Sequence, residues 1–520
     1  MGVGASVPRF PRWPRPRCLR QDDATRQLAL DDAGALSKDG YLMLRSRRST
    51  MSRACLALLV TATSAAALGQ APQVGPAEAL AAYVAKPDET FDWQVRRRYR
   101  HRHAEVIELQ LRSQTWQGAL WRHQLLLIRP RRVDDDRHAA LIVGGGRWRD
   151  EYETAAPDEL LPEDGELFVE IARWLRSPVV VLGQVPYQPL FDLSEDRLIA
   201  HTFERYLATG DTEWPLLLPM VKSVVRAFDA SSAASVSEGW GPLERFTVLG
   251  GSKRGWTTWL TAAVDTRVTA LAPIVIDALN MERHFPHQME VWGAPSEEIA
   301  PYTDLGLDTV LGSAAGADLR RIVDPFSYRA AITQPKLVIL ATNDAYFPLD
   351  SANLYWDELR EPKYLLYLPN EPHSIDGYGP VVRGLRALHA AAAGGEPLPR
   401  LEWQYEWDEG ALTLCIRSAP GARSLRIWQA TSAGRDFRAA EWQPVADVPR
   451  SSGRFELARP AAGYVALFGE AEFGRGRRAF ALTTNLAVWQ AADEPDYGTR
   501  PLGSAGVCAA ADLGAAVTLG

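Results

Sequence analysis

Lysine is scarce in this 520-residue chain: only six of its 57 basic residues are lysine (Lys38, Lys86, Lys222, Lys253, Lys336 and Lys363), the rest arginine. The formal net charge is −7, so the composition gives no support to a nucleic-acid partner, which needs a cationic surface. Cysteine is scarcer still, at four residues: Cys18, Cys55, Cys415 and Cys508. None stands at metal-ligand spacing, so a zinc or iron–sulfur framework is excluded. Cys415 and Cys508 are a candidate pair for an oxidising compartment, which spacing alone does not decide. Beyond residue 70 no run is apolar enough to cross a bilayer. No cofactor and no metal are expected. What remains is ordinary for a globular protein, with 46% hydrophobic and 23% charged residues, and long enough for two or three domains.

Residues 1–42 are rich in Arg and Pro without sustained periodicity. After them come Met51-Ser-Arg53, the apolar run Ala54–Ala67 and Leu68-Gly69-Gln70. A basic start, a short apolar run and a small-residue end are the parts of a secretory signal peptide, here over residues 51–69. Such signals begin a chain, so translation is expected to start at Met51 or Met43, with Ser46-Arg47-Arg48 weakly resembling a twin-arginine signal. Residues 1–70 are therefore read as a leader, and the mature protein as exported, periplasmic or extracellular, without stable membrane insertion.

The stretch that organises the rest is Arg245-Phe-Thr-Val-Leu-Gly-Gly251, followed by Ser252-Lys253-Arg254-Gly255 and a helical pattern to about Val264. A serine where a buried strand turns into a helix has an exposed hydroxyl backed by the helix N-terminus, the arrangement of a nucleophile elbow. Small residues are expected one and two places before it, to avoid collision with a neighbouring strand. The usual Gly-x-Ser-x-Gly is displaced: Arg254 stands where the last glycine belongs, and Gly255 follows.

Apolar strands alternate with helical patterns along residues 71–397. Strands are expected at Glu105–Leu111, Trp121–Ile128, Ala139–Val143, Pro178–Leu182, Leu271–Ile276, Pro335–Ala341 and Lys363–Leu368. Ser113–Gln117 reads as a hairpin connection. Helices are expected at Leu161–Leu175, Glu195–Ala208, Leu216–Ala230, Asp350–Glu358 and Gly379–Ala393. This alternation implies an α/β fold with a doubly wound, mostly parallel sheet, whose function belongs at the carboxyl ends of the strands. Residues 277–319 are too long for a plain connection and read as an insertion over the active site. From 398 to 495 short strands rich in Trp, Tyr and Val recur without helices, which implies a small all-β, sandwich-like domain; residues 496–520 read as a loose tail.

A serine hydroxyl becomes a nucleophile when a base takes its proton and a carboxylate fixes that base. Ser252, Asp344 and His373 stand in the nucleophile–acid–base order of α/β-hydrolases, each just past a strand end. Asp277, after the preceding strand, competes with Asp344 for the acid; Asp350 reads as a helix cap. The backbone N–H of Lys253 and one from Gly145–Gly146 are the candidate oxyanion donors, with the Lys253 or Arg254 side chain as a further charged one. Arg254, Trp148 and His287 are candidate substrate contacts. His284 and His287 with Glu282 and Glu290 fit polar lining of a pocket better than a metal site, because their spacings are mixed.

Several segments together resemble the PhoPQ-activated pathogenicity-related protein family. They include Tyr83-Val-Ala-Lys-Pro-Asp88, Ser113-Gln-Thr-Trp-Gln117, Thr209-Gly-Asp-Thr-Glu-Trp-Pro215 and Gly251-Ser-Lys-Arg-Gly-Trp-Thr-Thr-Trp-Leu260. Further on stand Val275-Ile-Asp-Ala-Leu-Asn280, Thr342-Asn-Asp-Ala-Tyr346, Pro369-Asn-Glu-Pro-His-Ser374 and Arg435-Asp-Phe437. The resemblance implies a secreted α/β-hydrolase with a β-rich C-terminal extension and Ser-Lys-Arg-Gly as its usual elbow. Glucuronoyl esterases have a similar displaced glycine, which by analogy points to polar or acidic substrates. It also implies links to bacterial virulence and to secreted growth regulators in amoebae. Two function classes follow: a serine hydrolase acting on a small-molecule, peptide or glycan-ester substrate, and a secreted interaction protein whose β domain meets a protein partner.

Overall fold

A computed structural model describes residues 74–153, 161, 163–494, 499–501 and 503–519. The expected leader and signal peptide lie outside the described residues. Among those described, no helix is long and apolar enough to cross a membrane.

The centre is a nine-stranded sheet. Its strands are β1 (Asp92–Arg100), β2 (Ala104–Trp116), β3 (Ala119–Pro130), β4 (His138–Val143) and β5 (Val179–Leu182). They continue with β6 (Arg245–Gly251), β7 (Val268–Ile274), β8 (Lys336–Ala341) and β9 (Lys363–Leu368). The spatial order is β1-β2-β3-β5-β4-β6-β7-β8-β9. From β5 to β9 all neighbours are parallel, while β1, β2 and β3 form an antiparallel extension that joins β5. Strands such as Val179-Val-Val-Leu182 and Lys336-Leu-Val-Ile-Leu-Ala341 are buried along their whole length, as continuous apolar runs must be when both faces are covered.

Helices α1 (Ala79–Ala85), α2 (Glu163–Leu175), α3 (Glu195–Thr209), α4 (Leu217–Ser237) and α5 (Lys253–Val264) precede or follow these strands. α4 packs on α1 and α5, whereas α2 packs on the last helix of the sheet domain. Between β7 and β8 lies the expected insertion. It is helical, with α6 (Met281–Trp292), α7 (Ala300–Thr303), α8 (Leu307–Leu311) and α9 (Ala317–Val323), and its last turn reaches Tyr328 rather than ending at 319. The sheet domain closes with α10 (Gly379–Ala392), the helix against which α2 packs.

The C-terminal strands are β10 (Arg400–Trp407), β11 (Ala411–Ala419), β12 (Ser424–Ser432), β13 (Gln443–Val448) and β14 (Ser452–Ala458). With them stand β15 (Tyr464–Phe473), β16 (Phe480–Thr483), β17 (Ala487–Gln490) and β18 (Val517–Leu519). One sheet runs β10-β11-β14-β18; the other runs β13-β12-β15-β16, with β17 also on β15. Two sheets, antiparallel but for the β14–β18 pair and sharing buried faces, make the sandwich that the strand count implied.

Four expectations change. Ser113–Trp116 continues β2, and the turn is Gln117-Gly118, both at positive φ, as a two-residue hairpin requires. Residues 350–358 form two short 3-10 turns in place of a helix. Asp350 makes no cap hydrogen bond there. The tail is not loose: β18 pairs in parallel with β14, and Cys508 is disulfide-bonded to Cys415 of β11.

Candidate active site

Ser252 joins β6 to α5 with φ 54° and ψ −127°, a conformation an L-residue holds only when its surroundings enforce it. Those surroundings are visible. The Ser252 N–H donates to Ile274 O at 2.8 Å, and its carbonyl accepts from Trp256 N at 3.0 Å. At Gly250 a Cβ would lie 2.7 Å from the Arg254 carbonyl carbon and oxygen, so the collision expected two places before the serine is with α5, not with a neighbouring strand. At Gly251 a Cβ would meet open space. Gly255 explains the displaced glycine: a Cβ there would lie 2.8 Å from Ile276 Cγ2 and 2.9 Å from Gly250 O. The close approach between helix and strand falls one residue later than in the usual pattern.

His373, in the loop after β9, has Nδ1 2.8 Å from Asp344 Oδ2, beyond the end of β8. Asp344 is buried at 7% exposure, and its Oδ1 accepts from Tyr346 N at 2.8 Å, which fixes the carboxylate plane. The imidazole stacks on Tyr346 with ring centroids 4.1 Å apart, and Phe347 stands behind at 6.1 Å. Among the described residues no hydrogen bond joins Ser252 Oγ to His373; catalytic hydrogen bonds often tighten only around substrate. The rival acid is occupied elsewhere. Asp277 Oδ1 accepts from Tyr355 Oη at 2.6 Å. Burial first, then the charges of Asp344 and Asp350, push its carboxyl up to about 8.

The glycine loop after β4 lies beside the elbow. Gly144 N donates to Leu182 O, and the Gly144 and Gly145 carbonyls accept from Val185 N and Gln184 N. Lys253, Gly145 and Gly146 carry no backbone partner on their own N–H groups among the described residues. The elbow's two cationic side chains turn away to α3. Arg254 grips Glu195 with both ends of its fork, at 2.7 and 2.8 Å, and its Nε donates to Val185 O at 2.6 Å. Lys253 Nζ lies 3.2 Å from Glu195 and 3.0 Å from Asp196. Burial alone would raise the Glu195 carboxyl, but Arg254 and Lys253 hold it down to about 2. Arg254 is thus a brace under the loop, and the charge of Lys253 is matched twice.

A narrow cavity of about 50 Å³ opens beside Ser252. Lys253, Ile276, Gln288, Tyr302 and Tyr346 contribute to its wall, so the insertion helices roof the elbow as expected. Trp148 and His287 are not in that wall. Trp148 packs edge-on against Tyr152 at 5.4 Å. His287, expected to line the pocket, points its Nε2 at Asp350 Oδ1, 2.8 Å away, where both are 2% exposed. Arg435 and Thr499 reach the other oxygen of Asp350. Burial opposes ionisation of that carboxyl, but His287 and Arg435 hold it well below the usual range. Among the described residues, no three His, Cys, Asp or Glu side chains gather to hold a metal ion.

The model of the PhoPQ-activated pathogenicity-related protein family matches residues 80–438, covering elbow, insertion, His–Asp pair and the first strands of the sandwich. The chain belongs to this family. It is similar to the autocrine proliferation repressor protein A of Dictyostelium discoideum, 30% identical over 431 residues, which are 75% of this chain and 85% of that protein. Among solved structures it is similar to acetyl xylan esterase 1 from Thermoanaerobacterium sp. JW/SL YS485, at 16% identity and TM-score 0.41 over 60% of this chain and 92% of that one. It is also similar to the glucuronoyl esterase from Solibacter usitatus, at 14% identity and TM-score 0.36 over 62% of this chain and 92% of that one.

For this family member, sequence reasoning missed the residues that hold the site from behind. Glu195 and Asp196 have no role in the sequence reading beyond beginning an expected helix, and they stand in the first turn of α3. Asn343 and Asn370 have no role there either, and both hydrogen-bond the sandwich backbone, Asn343 Nδ2 to Ala440 O and Asn370 Nδ2 to Trp442 O. An asparagine in each of the two loops that carry Asp344 and His373 was the available signal.

Proposed function

We propose that the protein is an exported serine hydrolase, cleaving an ester or peptide bond through Ser252, His373 and Asp344. The observation that carries this reading is the oriented His373–Asp344 pair at 2.8 Å, on the same sheet edge as a serine held in an elbow conformation. His373 Nε2 takes the Ser252 proton as Oγ attacks the acyl carbon, and Asp344 keeps the other nitrogen protonated and steadies the imidazolium. The tetrahedral oxyanion is met by the Lys253 N–H, at the positive end of α5, and by an N–H of Gly145 or Gly146. His373 then hands its proton to the leaving group, and water releases the acid from the acyl-serine. Asp277 is not the acid in this scheme: it is engaged by Tyr355, and burial, with the charges of Asp344 and Asp350, keeps it protonated near neutrality against that hydrogen bond.

The Cys415–Cys508 disulfide supports an oxidising compartment, periplasmic or extracellular. Family membership and the name of the Dictyostelium relative favour a second reading, a secreted signalling protein that keeps the fold without turnover. A fluorophosphonate probe separates the two. The first reading expects labelling of the folded protein that vanishes in Ser252→Ala; a well-folded protein that takes no label supports the second.

A further inference from the structure

We infer that the cavity beside Ser252 is an acyl pocket for a short, uncharged acyl group, an inference that rests on the serine-hydrolase reading above. Size comes first. At about 50 Å³ of space open to water the cavity has room for about three to five waters, each needing about 10–15 Å³ so measured, and so for an acyl group of about two to four carbons. Its far walls are apolar and come from three helices and a loop: Trp256 of α5, Met281 and Phe285 of α6, Leu311 of α8, and Phe347 after β8. Leu311, Met281 and Trp256 are themselves core residues at 1%, 2% and 6% exposure, so the walls cannot retreat without repacking.

Charge comes second. Among the described residues the one cation in the wall, Lys253, already lies against two carboxylates, Glu195 and Asp196. The Tyr302 hydroxyl donates to Asp196 at 3.1 Å, so it too is engaged. His284 is 1% exposed, and burial holds it down to about 3, leaving it neutral at any working pH. Its Nε2 faces the Gln288 amide at 3.0 Å. An acyl group bearing its own carboxylate, such as that in the half-ester of succinic acid, would lose its water here and find no unmatched cation. The reaction is then simple to balance: the Ser252 Oγ–acyl bond forms, the ester C–O bond breaks, and the serine proton leaves on the alcohol. Water in the second half returns the short carboxylic acid and the free serine.

The test is a p-nitrophenyl ester series with the full chain: acetate, propionate, butyrate, octanoate and the hydrogen succinate, alongside fluorophosphonate labelling. Acetate or propionate should exceed octanoate in kcat/KM by about 100-fold or more, since each misfit methylene in such a pocket costs about 10-fold or more. The succinate ester should fall below butyrate by a similar factor. Phe285→Ala, or Leu311→Ala if the first variant does not fold, should raise the octanoate-to-acetate ratio by about 10-fold or more. A probe-reactive protein with a flat chain-length profile, a preference for octanoyl or succinyl, or an unmoved ratio in the folded variants overturns the acyl-pocket inference alone. A folded protein with neither labelling nor turnover overturns both it and the hydrolase reading.

Discussion

The guanidinium of Arg254 stands where a side chain on Gly145 would have to go: a Cβ built on Gly145 would lie 2.4 Å from Arg254 Nη2. The residue that breaks the usual elbow pattern is therefore the residue that props the glycine loop, and Glu195 and Val185 O hold it in place. Loop and elbow supply the two proposed oxyanion donors, so their spacing is set by this contact.

Gly145→Ala should push the loop or the guanidinium aside. The expected loss is that of one oxyanion donor, about 100-fold or more in kcat on an activated ester. A circular-dichroism melt would show the fold retained. Undiminished turnover in a folded Gly145→Ala protein would remove the loop from the mechanism.

Asp344 and Asp277 should separate cleanly. Asp344→Asn leaves His373 with a partner of the wrong kind, and a triad acid so changed typically costs about 10⁴-fold in kcat. Asp277→Asn keeps the Tyr355 contact and should leave kcat within a few-fold. It should instead alter stability against pH. The buried carboxyl titrates at about 8 in the fold and at its ordinary value near 4 when unfolded, so the native state holds an extra proton between the two. Stability is fully present at the acid end of that window and falls as pH rises through it, by up to about 1.4 kcal/mol per unit. Urea titrations should show the stability of the parent relative to Asp277→Asn falling between pH 5 and 8, a difference in which the other titrating groups cancel.

On the acid side the His138–His389 pair should dominate. The rings lie 4.4 Å apart with Thr247 Oγ1 between them, at 3.1 Å from His138 Nε2 and 2.9 Å from His389 Nδ1. Burial, with Arg245 beside His138 and His138 beside His389, holds them down to about 4 and about 3. Unfolded histidines bind a proton near 6.5 and these do not, so their contribution is intact above that pH and is lost as pH falls below it. Between pH 6.5 and 5 the two should cost about 2 to 4 kcal/mol of unfolding free energy. Because the Asp277 carboxyl titrates with the opposite sign over the same window, equal stability at pH 7.5 and 5 in the Asp277→Asn protein would contradict the neutral assignment.

The central sheet was legible because its strands are unbroken apolar runs, which admit few other readings once helices alternate with them. β1 was not: Arg96, Arg97 and Arg98 interrupt its pattern, and the register shifts between Val95 and Arg97. The order of Ser252, Asp344 and His373 could be read, but the choice between Asp344 and Asp277 could not, since both follow buried strands. What distinguishes them is Tyr355, 78 positions beyond Asp277, and no local pattern reports such a partner. His287 misled for a similar reason: it sits three residues from the cavity-lining His284 on α6, yet turns to Asp350 and, through it, to Arg435 beyond β12.

That last chain of contacts gives the β-sandwich a role in the site. The segment 438–442 accepts from Asn343 Nδ2 at Arg438 O and Ala440 O, at 3.1 and 2.8 Å. It also exchanges two hydrogen bonds with Asn370: Nδ2 donates to Trp442 O at 2.9 Å, and Trp442 N donates to Oδ1 at 2.8 Å. Asn343 adjoins Asp344, and Asn370 lies three residues before His373, so one stretch of the sandwich pins both loops that carry the pair. Asn370→Ala leaves the Trp442 N–H without its acceptor, at a cost of about 1–3 kcal/mol, and frees the His373 loop. If the sandwich positions the pair, kcat should fall by about 10-fold or more with KM little changed, because binding at the cavity wall does not involve this loop. A variant that loses stability yet keeps its kcat would show that the sandwich only buttresses the fold; the two outcomes are read from one melt and one Michaelis curve.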